Sequence, residues 1–186
     1  MAEPLKRLFT RDEYYAMAEA GILKPEDRVE LIEGEIYQMT PIGNRHALCV
    51  TLLNDRLSVL AVREQLSVSP QNPVHLNDFS EPQPDLALIE RRQIGLSRSH
   101  PSPEEIYLVI EVAESSLDYD QRRKVPLYAR NGIPEVWVVD LTRHLIEVYR
   151  EPARDGYRNV QRLRRGDRIA PQAFPDFEIE VSSILP

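Results

Sequence analysis

Ile106-Tyr107-Leu108-Val109-Ile110-Glu111-Val112 is the stretch on which the fold reading turns. It is a nearly continuous apolar run with the length of a strand buried on both faces, which places it at the centre of a sheet. Pro101-Ser102-Pro103 marks the break before it. One residue departs from the pattern: Glu111 stands among Val109, Ile110 and Val112, where an aliphatic side chain is the ordinary occupant. A second carboxylate, Asp85 after Pro84, opens another short apolar run, Leu86-Ala87-Leu88-Ile89. Taking a carboxylate out of water costs several kcal/mol unless it is paired, protonated or bound to a metal ion.

Outward from this core, helical and strand-like segments alternate. Thr10-Arg11-Asp12-Glu13 is a capping box, and the helix it opens runs through Tyr15, Met17 and Ala18 to a stop at Gly21. Val29–Ile32 and Glu35–Met39 flank Glu33-Gly34, an acidic-glycine pair suited to a tight hairpin. From His46 to about Val62, Leu48, Leu52, Leu53, Leu57, Leu60 and Ala61 fall on one helical stripe. Short strands are predicted at 66–69, 74–76 and 85–89. Downstream, 120–131 reads as helix, with Pro126 tolerable only in a first turn, which moves the start towards Arg122; Gly132 supplies the stop. Val136–Asp140 and Leu145–Tyr149 form a strand pair turning at Thr142-Arg143, and 157–163 and 177–181 read as edge or irregular strands. This order predicts an α/β fold with a central sheet and helices against it, in a single domain over residues 1–186.

Composition narrows the classes. The chain has 186 residues, 42% of them hydrophobic, enough for one substantial core. Its formal net charge of −7 opposes a strong nonspecific grip on nucleic acid. Basic residues still cluster, as Arg122, Arg123, Lys124 and Arg130, and again as Arg158, Arg162, Arg164, Arg165 and Arg168. Each group reads as a solvated face or as a phosphate-facing rim. No run approaches the roughly eighteen apolar residues of a membrane span, and MAEPLKRLFTRDEYY lacks the apolar core of a secretory signal. The single cysteine, Cys49, lies in an apolar helical pattern and reads as a buried, inert thiol. A cytoplasmic location is expected.

Asp85 and Glu111, on neighbouring strands, can converge on one Mg²⁺, which takes hard oxygen ligands and keeps several waters. A nearby backbone carbonyl can serve as a third ligand. The plainer readings are that Asp85 ends a loop and that Glu111 meets an arginine or faces solvent. Lys124 is either a surface lysine or an ammonium that lowers the pKa of an attacking water and offsets phosphate charge. Glu30 alternates with Val29 and Leu31 and can face the site, whereas Glu33 belongs to the turn. His46 caps or decorates its helix, or transfers a proton or contacts phosphate.

The ordered set Val29-Glu30-Leu31-Ile32-Glu33-Gly34-Glu35-Ile36, His46, Gln83-Pro84-Asp85-Leu86, Val109-Ile110-Glu111-Val112, Lys124-Val125-Pro126-Leu127-Tyr128-Ala129 and Gly132–Asp140 resembles the Uma-two type of restriction-endonuclease-like proteins, within the PD-(D/E)xK nuclease superfamily. The similarity spans roughly Thr10 to Tyr149. The resemblance implies a restriction-endonuclease-like core, a central mixed β-sheet flanked by helices, and a Mg²⁺-dependent phosphodiester hydrolase site, with Mn²⁺ as a substitute. Asp85 and Glu111 would be the metal carboxylates with the Val112 carbonyl beside them, Glu30 an extra acidic residue and His46 a helix-borne accessory. Ala113 stands where the superfamily's lysine is expected, two residues after Glu111, so Lys124 would be the migrated lysine. The implied substrate is DNA, and a homodimer suits an enzyme that cuts two strands. Two other readings stand beside this one. One is a noncatalytic nucleic-acid or protein-binding module; the other is a structural or regulatory protein whose two carboxylates pair with Arg122 or Arg123.

Overall fold

In the computed structural model, which describes residues 5–24, 26–91 and 99–186, the chain enters through α1 (Arg11–Glu19). Met1–Pro4 of the N-terminal stretch read for a signal lie outside the described residues. The capping box forms: the Glu13 amide donates to Thr10 Oγ1 at 3.2 Å and the Thr10 amide to the Glu13 carboxylate at 3.0 Å. The hairpin follows as β1 (Val29–Ile32) and β2 (Glu35–Gln38), paired antiparallel. Glu33 and Gly34 both hold positive φ, 50° and 78°, as a two-residue turn of this hand requires. A Cβ on Gly34 would also lie 2.5 Å from that of Leu8, so glycine is needed there twice over.

The long helix α2 (Asn44–Glu64) buries Cys49, Leu53, Leu57, Leu60 and Ala61. Leu48, expected on that stripe, is instead half exposed, because Cys49, one position on, occupies the inward row. Next come β3 (Leu66–Pro70), β4 (Leu86–Glu90) and β5 (Ile106–Ala113). The expected strand at 74–76 does not form. Val74 and Leu76 are buried, but their amides bond the Pro82 and Ser80 carbonyls within a local loop rather than a neighbouring strand.

A helical stretch then carries the chain across the sheet in three pieces: α3 (Leu117–Tyr119), a π-helical turn (Asp120–Lys124) and α4 (Val125–Arg130). Helix therefore begins before Arg122, and the π turn is the reason that Pro126 fits. In a regular α-turn the pyrrolidine ring would strike the carbonyl four residues back. Here the Val125 amide bonds the Asp120 carbonyl five residues back, so the coil is already widened where the ring sits. Three strands, β6 (Glu135–Asp140), β7 (Leu145–Ala153) and β8 (Gly156–Arg164), and a two-residue pair, β9 (Arg168–Ile169) with β10 (Ile179–Glu180), complete the chain.

Among the described residues the main sheet has six strands in the order β3-β4-β5-β6-β7-β8. It is mixed: β5 and β6 are parallel, which requires the helical crossover, and the other neighbours are antiparallel. Strand alternation sorts the side chains. Leu86, Leu88, Leu108, Ile110 and Val112 pack with α2, while Ala87, Ile89, Val109 and Ala113 pack with Val125, Leu127 and Tyr128. By the same alternation Asp85 and Glu111 belong to the second face. The fold is thus α/β, a central mixed sheet with helices on both sides, as expected from the sequence.

Because β5 is enclosed by β4 and β6 while β8 is an edge, their amides should differ in hydrogen exchange. Opening free energies run from near zero at mobile edges to the global value in the core, so β5 amides should exchange roughly a hundredfold or more slowly than those of β8. Comparable rates would show that Ile106–Ala113 is not the sheet's interior.

Candidate functional site

Glu111 lies inside β5 with 3% of its surface exposed. Its Oε1 accepts from the Tyr128 hydroxyl at 2.6 Å and lies 2.9 Å from Lys124 Nζ. The π turn aims Lys124 inward, where its ammonium also lies 3.2 Å from Glu30 Oε2 and 3.4 Å from the Gln83 carbonyl. Glu30 reaches this point from β1, held by the Gln83 amide at 3.0 Å and the Tyr119 hydroxyl at 3.2 Å. Asp85 sits immediately before β4, and its Oδ2 accepts from the Val112 amide at 2.8 Å. The same oxygen lies 3.0 Å from His46 Nε2, delivered by the first turn of α2. Asp120, one turn before Lys124, accepts from Ser116 Oγ at 2.7 Å. Apart from Tyr128, these groups line one cleft of about 270 Å³, walled by the segment from Tyr37 to Gly43 and floored by β5.

Glu30 and Glu111 pair with one buried ammonium while Asp85 and Asp120 line the same cleft, so its carboxylates outnumber the cations that meet them, and the electrostatics follow from that ratio. Burial pushes Glu111 up to about 8; Lys124 opposes the shift, and the charges of Asp120, Asp85 and Glu30 add to it. Asp120 is raised to about 6, again chiefly by burial against the pull of Lys124. Burial alone would lower Lys124, but Glu111 and Glu30 outweigh it and hold the group well above its ordinary value, as an ammonium. Burial likewise opposes charge on His46, yet its hydrogen bond to Asp85 and the carboxylate charge raise it. Its Nδ1 is buried without a partner. Among the described residues, no three acidic, histidine or cysteine side chains converge as a complete metal cage.

The structure thus brings Asp85, Glu111, Lys124, Glu30 and His46 into one cleft, with Val112 on its wall. Glu33 stays in the hairpin turn, 2.7 Å from Arg130 and 4.0 Å from Arg123. Arg122 pairs with Asp118 at 2.6 Å. The alternative in which Arg122 or Arg123 neutralises the two carboxylates is therefore overturned: the cation that meets Glu111 is Lys124. Cys49 is buried, donates to the Ile184 carbonyl at 3.2 Å, and has its thiol pushed up to about 12, chiefly by burial. Sequence reading passed over Asp120, Tyr119, Tyr128 and the Gln83 backbone. A signal existed for two of them, since Asp120, Lys124 and Tyr128 recur at four-residue spacing.

Residues 11–182 match the Uma2 family, described as "Putative restriction endonuclease". No curated protein matches the sequence. The crystal structure of "a putative nuclease belonging to DUF820" from Anabaena variabilis superposes with a TM-score of 0.73, covering 95% of this chain and 97% of that one at 15% identity. Identity that low makes it a likeness of fold.

The raised Glu111 carboxyl has a consequence for stability. Its folded pKa of about 8 exceeds its ordinary 4.5, so the folded state binds the proton more tightly than the unfolded state. This contribution is fully present below about pH 4.5 and is lost as pH rises to about 8. Glu111→Gln should flatten the decline of melting temperature across that window. An equally steep decline in the variant would assign the titration to another group.

Proposed function

This chain belongs to the Uma2 family, and from that membership and the charge arrangement of the cleft we propose that it is a Mg²⁺-dependent endonuclease hydrolysing phosphodiester bonds in DNA. The observation that carries the reading is the imbalance of charge: Glu30, Asp85, Glu111 and Asp120 line one cleft in which Lys124 pairs with Glu30 and Glu111, and among the described residues Arg28 is the only other lysine or arginine lining it. A buried set of hard oxygens of this kind fits a divalent cation, whose charge would favour the ionised form of Glu111 that burial disfavours. Asp85 and Glu111 would hold it, with the Val112 carbonyl as third ligand; two carboxylates suffice, because Mg²⁺ keeps several waters. When bound, such an ion polarises the scissile phosphate and lowers the pKa of a water.

The remaining work falls to the chain's own groups. Lys124, held protonated, cannot act as a base; its charge offsets charge on the phosphate, and the donor 3.4 Å from the Gln83 carbonyl is the one that can turn to orient the attacking water. Glu30 keeps that ammonium beside Glu111, and the Tyr128 hydroxyl fixes the Glu111 carboxylate. His46 holds Asp85 through Nε2 and acts as a positioning residue. This arrangement supports reading the site as one of the PD-(D/E)xK nucleases. Ala113 leaves the superfamily's lysine position vacant, and the π turn supplies an ammonium 2.9 Å from Glu111 in its stead.

Calorimetry with Mn²⁺ and cleavage of plasmid DNA test this together. Asp85→Asn and Glu111→Gln should each weaken Mn²⁺ binding, and unchanged affinity in both would remove the metal from the site. Lys124→Ala should retain Mn²⁺ binding yet cut about a hundredfold more slowly, with Lys124→Arg recovering only part of the rate. Cleavage by Lys124→Ala at the parent rate would show that the ammonium takes no part. A parent that binds DNA but cuts nothing with Mg²⁺ or Mn²⁺ would instead be a noncatalytic binding module.

A further inference from the structure

The cleft differs from what a duplex-gripping surface needs. Lys124 and Glu111 are each only 3% exposed, so a phosphate reaches them only by entering the cleft. Of the charged side chains lining it among the described residues, five are carboxylates and Arg28 and Lys124 are the only arginine and lysine. The neighbouring basic group offers little more, because Arg122 is paired with Asp118 while Arg123 and Arg130 both face Glu33. Duplex binding draws its affinity from many phosphates neutralised along a stiff rod, and a site with two lining cations on a chain of net charge −7 does not supply that.

The cleft does carry an aromatic wall. Tyr37 from β2 and Tyr119 from α3 line it, their ring centroids 5.3 Å apart and their planes tilted by 49°. Their hydroxyls are tied back, Tyr37 to Glu35 at 2.5 Å and Tyr119 to Glu30 at 3.2 Å, so both rings are held in place by carboxylates. Tyrosine faces of this kind stack unpaired bases without regard to sequence, and stacking is available only where bases are not already stacked in a duplex. Building on the nuclease reading, we propose that the cleft admits one nucleotide of single-stranded DNA, its base against Tyr37 and its phosphate directed at Lys124, and that intact duplex is a poor ligand. Double-stranded substrates are then attacked where strands are frayed, flapped or gapped.

Fluorescence anisotropy with a labelled oligothymidylate and a labelled blunt hairpin duplex tests this, with Ca²⁺ present to neutralise the carboxylates. The single strand should bind at least about tenfold more tightly than the duplex. Tyr37→Leu should weaken single-strand binding by about tenfold and leave duplex binding unmoved, and Tyr37→Trp, which keeps an aromatic face and guards against a folding defect, should restore it. Equal affinity for the two ligands, no binding of either, or indifference to Tyr37→Leu would each overturn the proposal. The nuclease reading fails separately: a parent that prefers single strands but cleaves none with Mg²⁺ loses the hydrolase activity and keeps this specificity. One that cuts intact duplex as fast as single strands keeps the activity and loses the specificity.

Discussion

The burial of the Lys124 ammonium between Glu30 and Glu111 is the interaction on which the rest of the cleft depends. Its Nζ lies 3.2 Å from one carboxylate and 2.9 Å from the other, with both acids and the lysine nearly inaccessible to water. Charges so placed have lost most of their hydration, and only close pairing and further hydrogen bonds recover it. The Gln83 backbone and the Tyr119 and Tyr128 hydroxyls supply those bonds. Glu30, Glu111 and Lys124 belong to the first hairpin, the central strand and the crossover helix, so all three elements are fixed relative to one point.

One ammonium does not balance four carboxylates, and that remainder gives the site its chemistry. Burial raises Glu111 and Asp120, neighbouring carboxylates add to the shift, and the pull of Lys124 does not cancel it. The sheet makes the concentration of charge possible. Asp85 and Glu111 share a face by strand alternation, and the Asp85 carboxylate accepts directly from the amide that follows Glu111. The π turn makes the lysine available: the widened coil before Pro126 carries Lys124 towards β5 rather than towards solvent.

Much of this was legible in the sequence, for local reasons. A hydrophobic run as long as 106–112 has few places to go except the middle of a sheet, and a glutamate within it announces an exceptional environment. The hairpin at Glu33-Gly34 and the capping box at Thr10 are encoded within four residues each. What escaped is non-local or depends on backbone irregularity. Nothing near Val74 or Leu76 distinguishes burial in a loop from burial in a strand. The parallel pairing of β5 with β6 has no signature in either strand alone. Asp120 reads as an ordinary helix residue, since its four-residue spacing from Lys124 and Tyr128 points to a shared face without saying that the face is buried in the cleft, and Tyr128 reads as core because its ring is core while its hydroxyl meets Glu111.

Anomalous diffraction from crystals equilibrated with Mn²⁺ tests the central claim most directly, because it reads the position of the cation rather than its consequences. A single peak bonded to carboxylate oxygens of both Asp85 and Glu111 at about 2 Å, with Lys124 still held by Glu30, is the expected result. A cleft without a peak at saturating Mn²⁺, or an ion that engages neither carboxylate, would contradict it.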